Sequence, residues 1–233
     1  FTLTSLIIEI YTLLLLRQNH YFLGGTLQHH ECLSDFQFDA FLCVSEPIAR
    51  HLRDVHGVAD PVIIRPAVKP NATPSADKEL QICYMPRKRL AEFGSVRYGF
   101  RYLYPELAGT RFVSIHDRHP DEVAAIMAES AVFLSLSRHE GLGLPPLEAM
   151  AAGCLVVGYH GGGGLDYATA ANGRWFDNAT PDELVPLLAD TISTLRADPD
   201  AFVGMVEAGH RTVERYTSDA MNAALLGFWR SFL

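Results

Sequence analysis

Short apolar runs rich in β-branched residues alternate with segments of helical pattern along most of this sequence. Such alternation is typical of βα units, whose strands lie side by side in a parallel sheet. The sequence therefore predicts a doubly wound α/β fold, in which ligands bind beyond the carboxyl ends of the strands. The predicted strands cover residues 39–44, 61–64, 80–85, 111–115, 131–135 and 154–159, and the predicted helices cover 46–56, 121–129, 145–152, 182–196, 199–216 and 218–232.

A stretch rich in proline, alanine and polar residues, 66–77, has the composition of an interdomain linker. We therefore expect one α/β domain over residues 1–68, a second over 69–215 and a last helix over 216–233.

The apolar run at 1–16 is shorter than the roughly 20 residues of a membrane-spanning helix. It also lacks the basic start of a signal peptide. We interpret this run as buried core elements.

The ends of the first predicted helix are marked by particular residues. Ser45 is placed to cap its start, and Pro47 lies near the first helical position, where proline is favoured. Gly57 is placed to end it. We therefore expect a helix that begins after Ser45 and ends at about residue 56.

Charge and cysteine content argue against several classes of function. The net charge is −8, so no global attraction favours nucleic acid or an anionic membrane, and a phosphate must be bound by local positive charge. The four cysteines, Cys32, Cys43, Cys83 and Cys154, form no CxxC pair, which favours a reduced, cytoplasmic compartment. No His and Cys residues have the spacing of a metal site. We expect no metal ion, no nucleic-acid partner and no integral membrane segment.

One predicted loop has the composition of an anion-binding site. After the strand that ends near Ser135, a glycine-containing loop leads to Pro145, which opens a helix. The free N–H groups at a helix start favour an anion by about 0.3–1 kcal/mol. Gly141 and Gly143 lack side chains where a ligand approaches the backbone. This combination suits a diphosphate.

Two glutamates flank this loop. We expect Glu148 in the first turn of the helix, where its carboxylate can accept two hydrogen bonds from a vicinal diol such as that of ribose. Glu140 lies eight positions earlier, in the loop. It is placed to face the group attached beyond the phosphates.

Glu140 and Glu148 form a Glu-x7-Glu pattern within Glu-Gly-Leu-Gly-Leu-Pro-Pro-Leu-Glu-Ala-Met-Ala-Ala-Gly. This segment resembles the signature of GT-B glycosyltransferases of family 4, or group 1, and the resemblance extends over roughly residues 39–215. It implies that Glu148 holds the ribose of the donor and that Glu140 contacts the donor sugar at the catalytic centre. It also implies that the backbone at Gly141 and Leu142 approaches the diphosphate.

The resemblance assigns further residues to the donor. Arg87 and Lys88 follow the first strand of the second domain, where the family places a basic pair on the phosphates; we expect the next residue, Arg89, to face water. His116 and Asp117 occupy the loop that approaches the nucleobase, although a polar loop end without ligand contact is the simpler interpretation.

A second glycine-rich segment also resembles the family. Gly161–Gly164 with Asp166 is similar to a Gly-Gly…Glu element, with Asp in place of Glu. A flexible turn and a close approach to the ligand are equally compatible with this segment.

The resemblance implies transfer of a sugar from a nucleotide-diphosphate sugar, such as a UDP- or GDP-sugar, with retention of configuration. Cations, the helix start and backbone amides stabilise the leaving nucleoside diphosphate, so no cofactor or metal ion is expected. The acceptor, a glycan or a lipid-linked molecule, is not identified by any residue. A lipid-linked acceptor would place this cytoplasmic protein at the periphery of the membrane.

A GT-B enzyme has two complete Rossmann-like domains. We therefore expect residues 1–68 to be a partial acceptor-side domain and residues 69–215 to bind the nucleotide sugar. The family's last helix, here 216–233, packs back toward the first domain. Two alternatives remain: a GT-B-type sugar-nucleotide epimerase or phosphorylase, and a non-catalytic nucleotide-sugar-binding module.

Overall fold

A computed structural model describes residues 8–9, 12–17, 32–36, 38–68, 74–75, 77–86, 89–177 and 180–232. Two of the residues predicted to bind phosphate, Arg87 and Lys88, lie outside the described residues, as does half of the predicted linker.

The first sheet contains four strands: β1 (Ile8–Glu9), β2 (Thr12–Arg17), β3 (Ala40–Cys43) and β4 (Val62–Ile63). They lie in the order β1-β2-β3-β4, with β1 antiparallel to β2 and the other pairs parallel. The predicted strands at 39–44 and 61–64 correspond to β3 and β4.

The second sheet consists of β5 (Glu79–Tyr84), β6 (Arg111–Ser114), β7 (Ser130–Ser135), β8 (Leu155–Tyr159) and β9 (Arg174–Phe176). All its strands are parallel, in the order β6-β5-β7-β8-β9. Neighbouring side chains on a strand face opposite sides, so β5 places Cys83 in one apolar cluster and Ile82 in the other. The α/β fold with a parallel sheet is therefore confirmed.

Seven helices are described: α1 (Glu46–His56), α2 (Leu90–Leu103), α3 (Pro120–Glu129), α4 (Leu144–Ala151), α5 (Pro181–Ala197), α6 (Val203–Val213) and α7 (Ser218–Phe232). On one face of the second sheet, α2 packs against α5. The opposite face carries α4, which packs against α6, and the buried side of α1. The second sheet is therefore covered on both faces, as a doubly wound fold requires.

The bounds predicted for α1 are confirmed. Ser45 precedes the helix, and Gly57 ends it with a φ of 66°, a left-handed conformation that glycine adopts without strain. The cap itself differs from the prediction, because the Ser45 side chain makes no capping hydrogen bond. Its hydroxyl instead donates to the carbonyl oxygen of Gly141, 2.5 Å away, in the second half of the chain.

Neither α2 nor β9 is predicted from the sequence, and α6 begins later than expected. Helix α2 contains Gly94 and Gly99, which disfavour a helix. It is stabilised by burial of Phe93, Val96 and Phe100 on the face toward the sheet. Such packing overrides intrinsic propensity.

The last helix, α7, reaches the first sheet. Phe228 is buried against Leu42 of β3 and Ile64, the residue after β4. The backbone N–H of Val68 donates to the carbonyl oxygen of Tyr216, 2.8 Å away, just before α7 begins. The segment that follows α6 therefore contacts the first sheet and joins it to the second. The hydrogen bond between Ser45 and Gly141 is a further contact between the two halves of the chain.

Candidate functional site

A cleft of about 540 Å³ opens at the carboxyl ends of the central strands of the second sheet. This is the edge at which a doubly wound sheet binds ligands. Three stretches of chain supply most of its lining: Phe133–Ser137 at the end of β7, Glu140–Pro146 after it, and Tyr159 with His160 at the end of β8; Met85, Arg89, Val44 and Pro66 complete it.

Glu140 is held at this cleft by backbone contacts with the turn that follows β8. Its N–H donates to the carbonyl oxygen of Gly161 (2.8 Å), and its own carbonyl oxygen accepts from the N–H of Gly163 (3.1 Å). The Ser137 hydroxyl donates to Oε1 of the Glu140 carboxylate. These contacts fix both the backbone and the side chain of Glu140.

Glycine is required where the two loops meet. A Cβ atom on Gly163 would overlap the backbone carbonyl group of Gly141, so a larger residue would push the loops apart. Gly143 has a φ of 87°, and its carbonyl oxygen accepts a hydrogen bond of 2.7 Å from the Tyr167 hydroxyl. The glycines therefore permit a close approach between the loop after β7 and the turn after β8.

The backbone amides of Gly141, Leu142 and Gly143 donate to no backbone carbonyl among the described residues. All three residues are buried, and a buried N–H group normally has a partner. They lie directly before α4, whose dipole favours negative charge at this end. This stretch can therefore bind an anion through its backbone alone.

The prediction that Glu148 lies in the first turn of its helix is wrong. Gly143 takes the N-cap position, so α4 begins at Leu144, and Glu148 is the fifth helical residue. The helix starts one residue earlier than expected because the positive φ of Gly143 turns the chain into it.

Glu148 does not itself line the cleft, but Leu144 and Pro145 do, and they lie four and three positions before it on the same helix face. Helical side chains lean toward the helix start, which directs Glu148 toward these two residues. The Glu148 carboxylate is half-buried and has neither an ion pair nor a hydrogen bond with any described residue. Burial raises the pKa of this carboxyl group.

A cluster beside the cleft was not foreseen from the sequence. The hydroxyl of Tyr159 donates to Glu92 Oε1 (2.8 Å), and the same oxygen accepts from the Arg138 guanidinium (2.9 Å). That guanidinium also lies 4.7 Å from the centre of the Tyr159 ring. Burial, followed by the contact with Glu92, raises the pKa of Tyr159 to about 12. Glu92 lies on α2, the helix that is not predicted. No sequence pattern therefore indicates that its carboxylate contacts Tyr159 and Arg138.

Arg89 was expected to face water, and this prediction is wrong. It lines the cleft, is half-buried, and lies 3.4 Å from Glu92 Oε2. Arg89 occupies the N-cap position of α2, so the unpredicted helix turns it toward the cleft.

His160 also lines the cleft and is buried. Its Nδ1 accepts from the N–H of Gly162 (3.0 Å), and its Nε2 lies 3.3 Å from Asp177. In the neutral imidazole, this pair of contacts places the proton on Nε2.

The structure does not bring His116 and Asp117 to the cleft lining. Both follow β6, the edge strand, and both are exposed, with His116 Nε2 lying 3.2 Å from Asp117 Oδ2. Their contact with a nucleobase stays a prediction.

Residues 106–199 match the sequence model of a family described as Glycosyl transferases group 1. This segment is therefore similar to the group 1 glycosyl transferases. It includes β7, α4, β8 and most of the cleft lining. The chain is 32% identical over 169 residues to an α-1,6-glucosyltransferase from Actinobacillus pleuropneumoniae serotype 7 (strain AP76). The aligned region covers 71% of this chain and 49% of that protein, so the chain spans about half the length of its curated relative.

Solved structures share the fold at low sequence identity. A sucrose-phosphate synthase from Thermosynechococcus elongatus aligns with a TM-score of 0.65 and 17% identity, over 84% of this chain and 59% of its own. A TarM mutant from S. aureus, in complex with fondaparinux, α-GlcNAc-glycerol and UDP, aligns with a TM-score of 0.66 and 15% identity, over 82% of this chain and 44% of its own. The expected GT-B, Rossmann-like fold is therefore confirmed.

Within the described part of the chain, every helix is too short or too polar to cross a membrane. Among the same residues, no three His, Cys, Asp or Glu side chains are grouped as ligands of a metal ion.

Proposed function

We propose that this chain carries the donor-binding part of a glycosyltransferase that uses a nucleotide-diphosphate sugar and retains the configuration at the anomeric carbon. The observation that carries the proposal is the Glu140–Pro146 segment, which lies within the family match, lines the cleft and contains buried residues whose amides have no backbone partner. A cleft with backbone donors at one end and a fixed carboxylate beside them suits an activated sugar.

The diphosphate is proposed to lie against the amides of Gly141 and Leu142 at the start of α4. Arg87 and Lys88 are proposed to contact its oxygens, and Arg89, which lines the cleft, adds a third local cation. As the bond to the sugar breaks, negative charge grows on the leaving phosphate. Donors already in position stabilise that charge more effectively than water does.

Glu148 is proposed to accept hydrogen bonds from the ribose diol, because its carboxylate is half-buried and has no partner among the described residues. Glu140 is proposed to orient the donor sugar through its second carboxylate oxygen, since Oε1 accepts from Ser137. We assign it no role as a covalent nucleophile. His116 and Asp117 are proposed to face the nucleobase.

Retention is supported by the relative named for an α-1,6 linkage. A transferase that makes an α linkage from an α-linked sugar nucleotide retains the configuration. The TarM structure contains UDP, which makes UDP the first nucleotide to test and GDP the second. The acceptor is proposed to be a glycan or a lipid-linked molecule.

Calorimetry with UDP and GDP tests the donor site, using wild type, Glu148→Gln and the control Glu207→Gln. Glu207 is an exposed carboxylate on α6, paired with Arg211 on its own helix. We expect Glu148→Gln to weaken nucleotide binding at least tenfold, which corresponds to about 1.4 kcal/mol, and Glu207→Gln to match wild type. The proposal fails if wild type binds neither nucleotide, or if Glu148→Gln binds as wild type does.

Turnover assays on the same samples separate the remaining alternatives. Slow hydrolysis of a UDP-sugar that is lost in Glu140→Gln supports a transferase. Nucleotide binding without turnover indicates a binding module, and epimerisation of the sugar without an acceptor indicates an epimerase.

A further inference from the structure

One buried carboxylate, that of Asp166, gathers hydrogen bonds from distant parts of the chain. Its side chain is only 1% exposed. Arg65 donates to both of its oxygens, from Nε at 2.7 Å and from the terminal nitrogen at 2.9 Å. The backbone N–H of Glu46 (2.8 Å) and the hydroxyl of Tyr216 (2.8 Å) also donate to it. Asp166 therefore accepts four hydrogen bonds, two of them from a cation.

These donors lie in segments that directly follow strands of the first sheet, or in the segment that returns to that sheet. Glu46 is the first residue of α1, Arg65 follows β4, and Tyr216 precedes α7. Asp166 itself lies in a 3-10 turn of the second half of the chain, just after β8. The carboxylate thus joins the two sheets at their carboxyl ends, beside the cleft.

The turn that carries Asp166 is also the turn that holds Glu140. Gly163, three residues before Asp166, donates its N–H to the carbonyl oxygen of Glu140. From the first sheet, the hydroxyl of Ser45 reaches the carbonyl oxygen of Gly141, the next residue of the same loop. The start of α1 is therefore connected to the Glu140 loop by two routes, one of which runs through Asp166.

The arrangement at the start of α1 differs from that of an ordinary helix. Ser45 occupies the N-cap position but makes no cap with its side chain, and Asp166 supplies the acceptor for the first amide instead. A buried ion pair is often no more stabilising than apolar packing of the same volume. What the Arg65–Asp166 pair supplies is a defined geometry, because a bidentate contact fixes both position and angle.

We infer that Asp166 is a positioning residue for sugar transfer. Its hydrogen bonds hold α1 and Arg65 against the turn that contacts Glu140, and so fix the position of the first sheet relative to the Glu140 loop. The inference rests on the proposed function. The Glu140 loop and the amides before α4 belong to the second half of the chain, so nucleotide binding depends less than transfer on the hydrogen bonds of Asp166. Loss of these hydrogen bonds lowers the rate of transfer and leaves nucleotide affinity nearly unchanged.

The test compares Asp166→Asn and Arg65→Gln with the control Asp190→Asn. Asp190 also pairs with an arginine, Arg174 of β9, but the Asp190 carboxylate is exposed on α5. For each variant, UDP affinity is measured by calorimetry, and the turnover of a UDP-sugar gives kcat and KM. We expect Asp166→Asn to keep UDP affinity within about twofold and to lose at least tenfold in kcat, and Arg65→Lys to recover part of the loss in Arg65→Gln. Asp190→Asn should match wild type.

Amide hydrogen exchange gives a readout that requires no activity. We expect Asp166→Asn to accelerate exchange at the amides of Glu46 and Glu140, and to leave the amides of Leu147 and Met150 inside α4 unchanged. Unchanged kcat, an equal loss of affinity and kcat, or unchanged exchange at Glu46 and Glu140 would overturn the inference.

Two further cases keep the test decisive. If Asp166→Asn fails to fold, Tyr216→Phe removes one of the four hydrogen bonds and should produce the same pattern with a smaller amplitude. If wild type neither binds UDP nor turns over its sugar, the proposed function fails, and the exchange data alone decide whether Asp166 couples the two sheets.

Discussion

At the scale of single residues, Glu148 is expected to bind ligand at the expense of stability. Burial raises the pKa of its carboxyl group, so the ionised form is disfavoured in the folded protein. We expect Glu148→Gln to raise the free energy of unfolding by up to about 1 kcal/mol while it weakens nucleotide binding. Thermal unfolding with and without UDP checks both effects. A less stable Glu148→Gln protein in the absence of UDP would indicate a structural role instead.

The pKa of Asp166 is shifted in the opposite direction to that of Glu148, which makes the stability of the protein depend on pH. Burial alone would raise its pKa, but the hydrogen bonds from Arg65, the Glu46 amide and Tyr216 lower it. A carboxylate whose pKa is lower in the folded state stabilises the protein above its unfolded pKa, about 3.9, and that contribution disappears as the pH falls through the folded value. Urea unfolding should therefore show a large stability difference between wild type and Asp166→Asn at pH 7, and a smaller one below pH 3. A difference that grows with acidification would contradict this.

At the scale of elements, the contact between the loop after β7 and the turn after β8 depends on a missing side chain. A Cβ on Gly163 would overlap backbone atoms of Gly141, which cannot yield as a flexible side chain can. We expect Gly163→Ala to destabilise the protein by about 1–3 kcal/mol and to displace Glu140, with loss of turnover. Chemical denaturation and the UDP-sugar assay measure the two effects.

Gly94 provides the matched control for that substitution. A Cβ there meets nothing within 4 Å, and the residue is exposed within α2. Gly94→Ala should therefore stabilise the helix by about 0.5–1 kcal/mol. If both alanine variants changed stability in the same direction, the contact at Gly163 would not be the cause.

The elements also show what the sequence can and cannot predict. Strands β5, β7 and β8 are apolar runs buried on both faces, and α1 is marked at both ends, so pattern alone identifies them. Helix α2 is not predicted, because its glycines and aromatic residues disfavour a helix that tertiary packing then stabilises. Arg89 and Glu92 lie at the start of this helix. Because the helix is not predicted, their positions beside the cleft are not predicted either.

At the scale of the whole molecule, the candidate site combines a local motif with distant contacts. The Glu140–Glu148 segment is continuous in sequence, and its glycines and prolines predict a backbone that binds an anion. The Arg65–Asp166 contact joins residues 101 positions apart, and no periodicity or spacing relates them. Sequence therefore predicts the half of the site that one βα unit builds, and misses the half that depends on how the two sheets meet.

The net charge of the molecule leads to a last prediction. A charge of −8 repels a nucleoside diphosphate, so binding depends on a few local cations near the cleft. If Arg87 and Lys88 contact the phosphates, local attraction outweighs the global repulsion, and UDP affinity should fall as ionic strength rises from about 0.05 M to about 0.5 M. The double variant Arg87→Gln/Lys88→Gln should bind at least tenfold more weakly and lose most of that salt dependence. Arg97→Gln/Arg101→Gln, which removes two exposed cations from α2, is the control for net charge. Calorimetry measures UDP affinity across the salt series. An affinity that rises with salt would mean that repulsion dominates and that Arg87 and Lys88 do not contact the diphosphate.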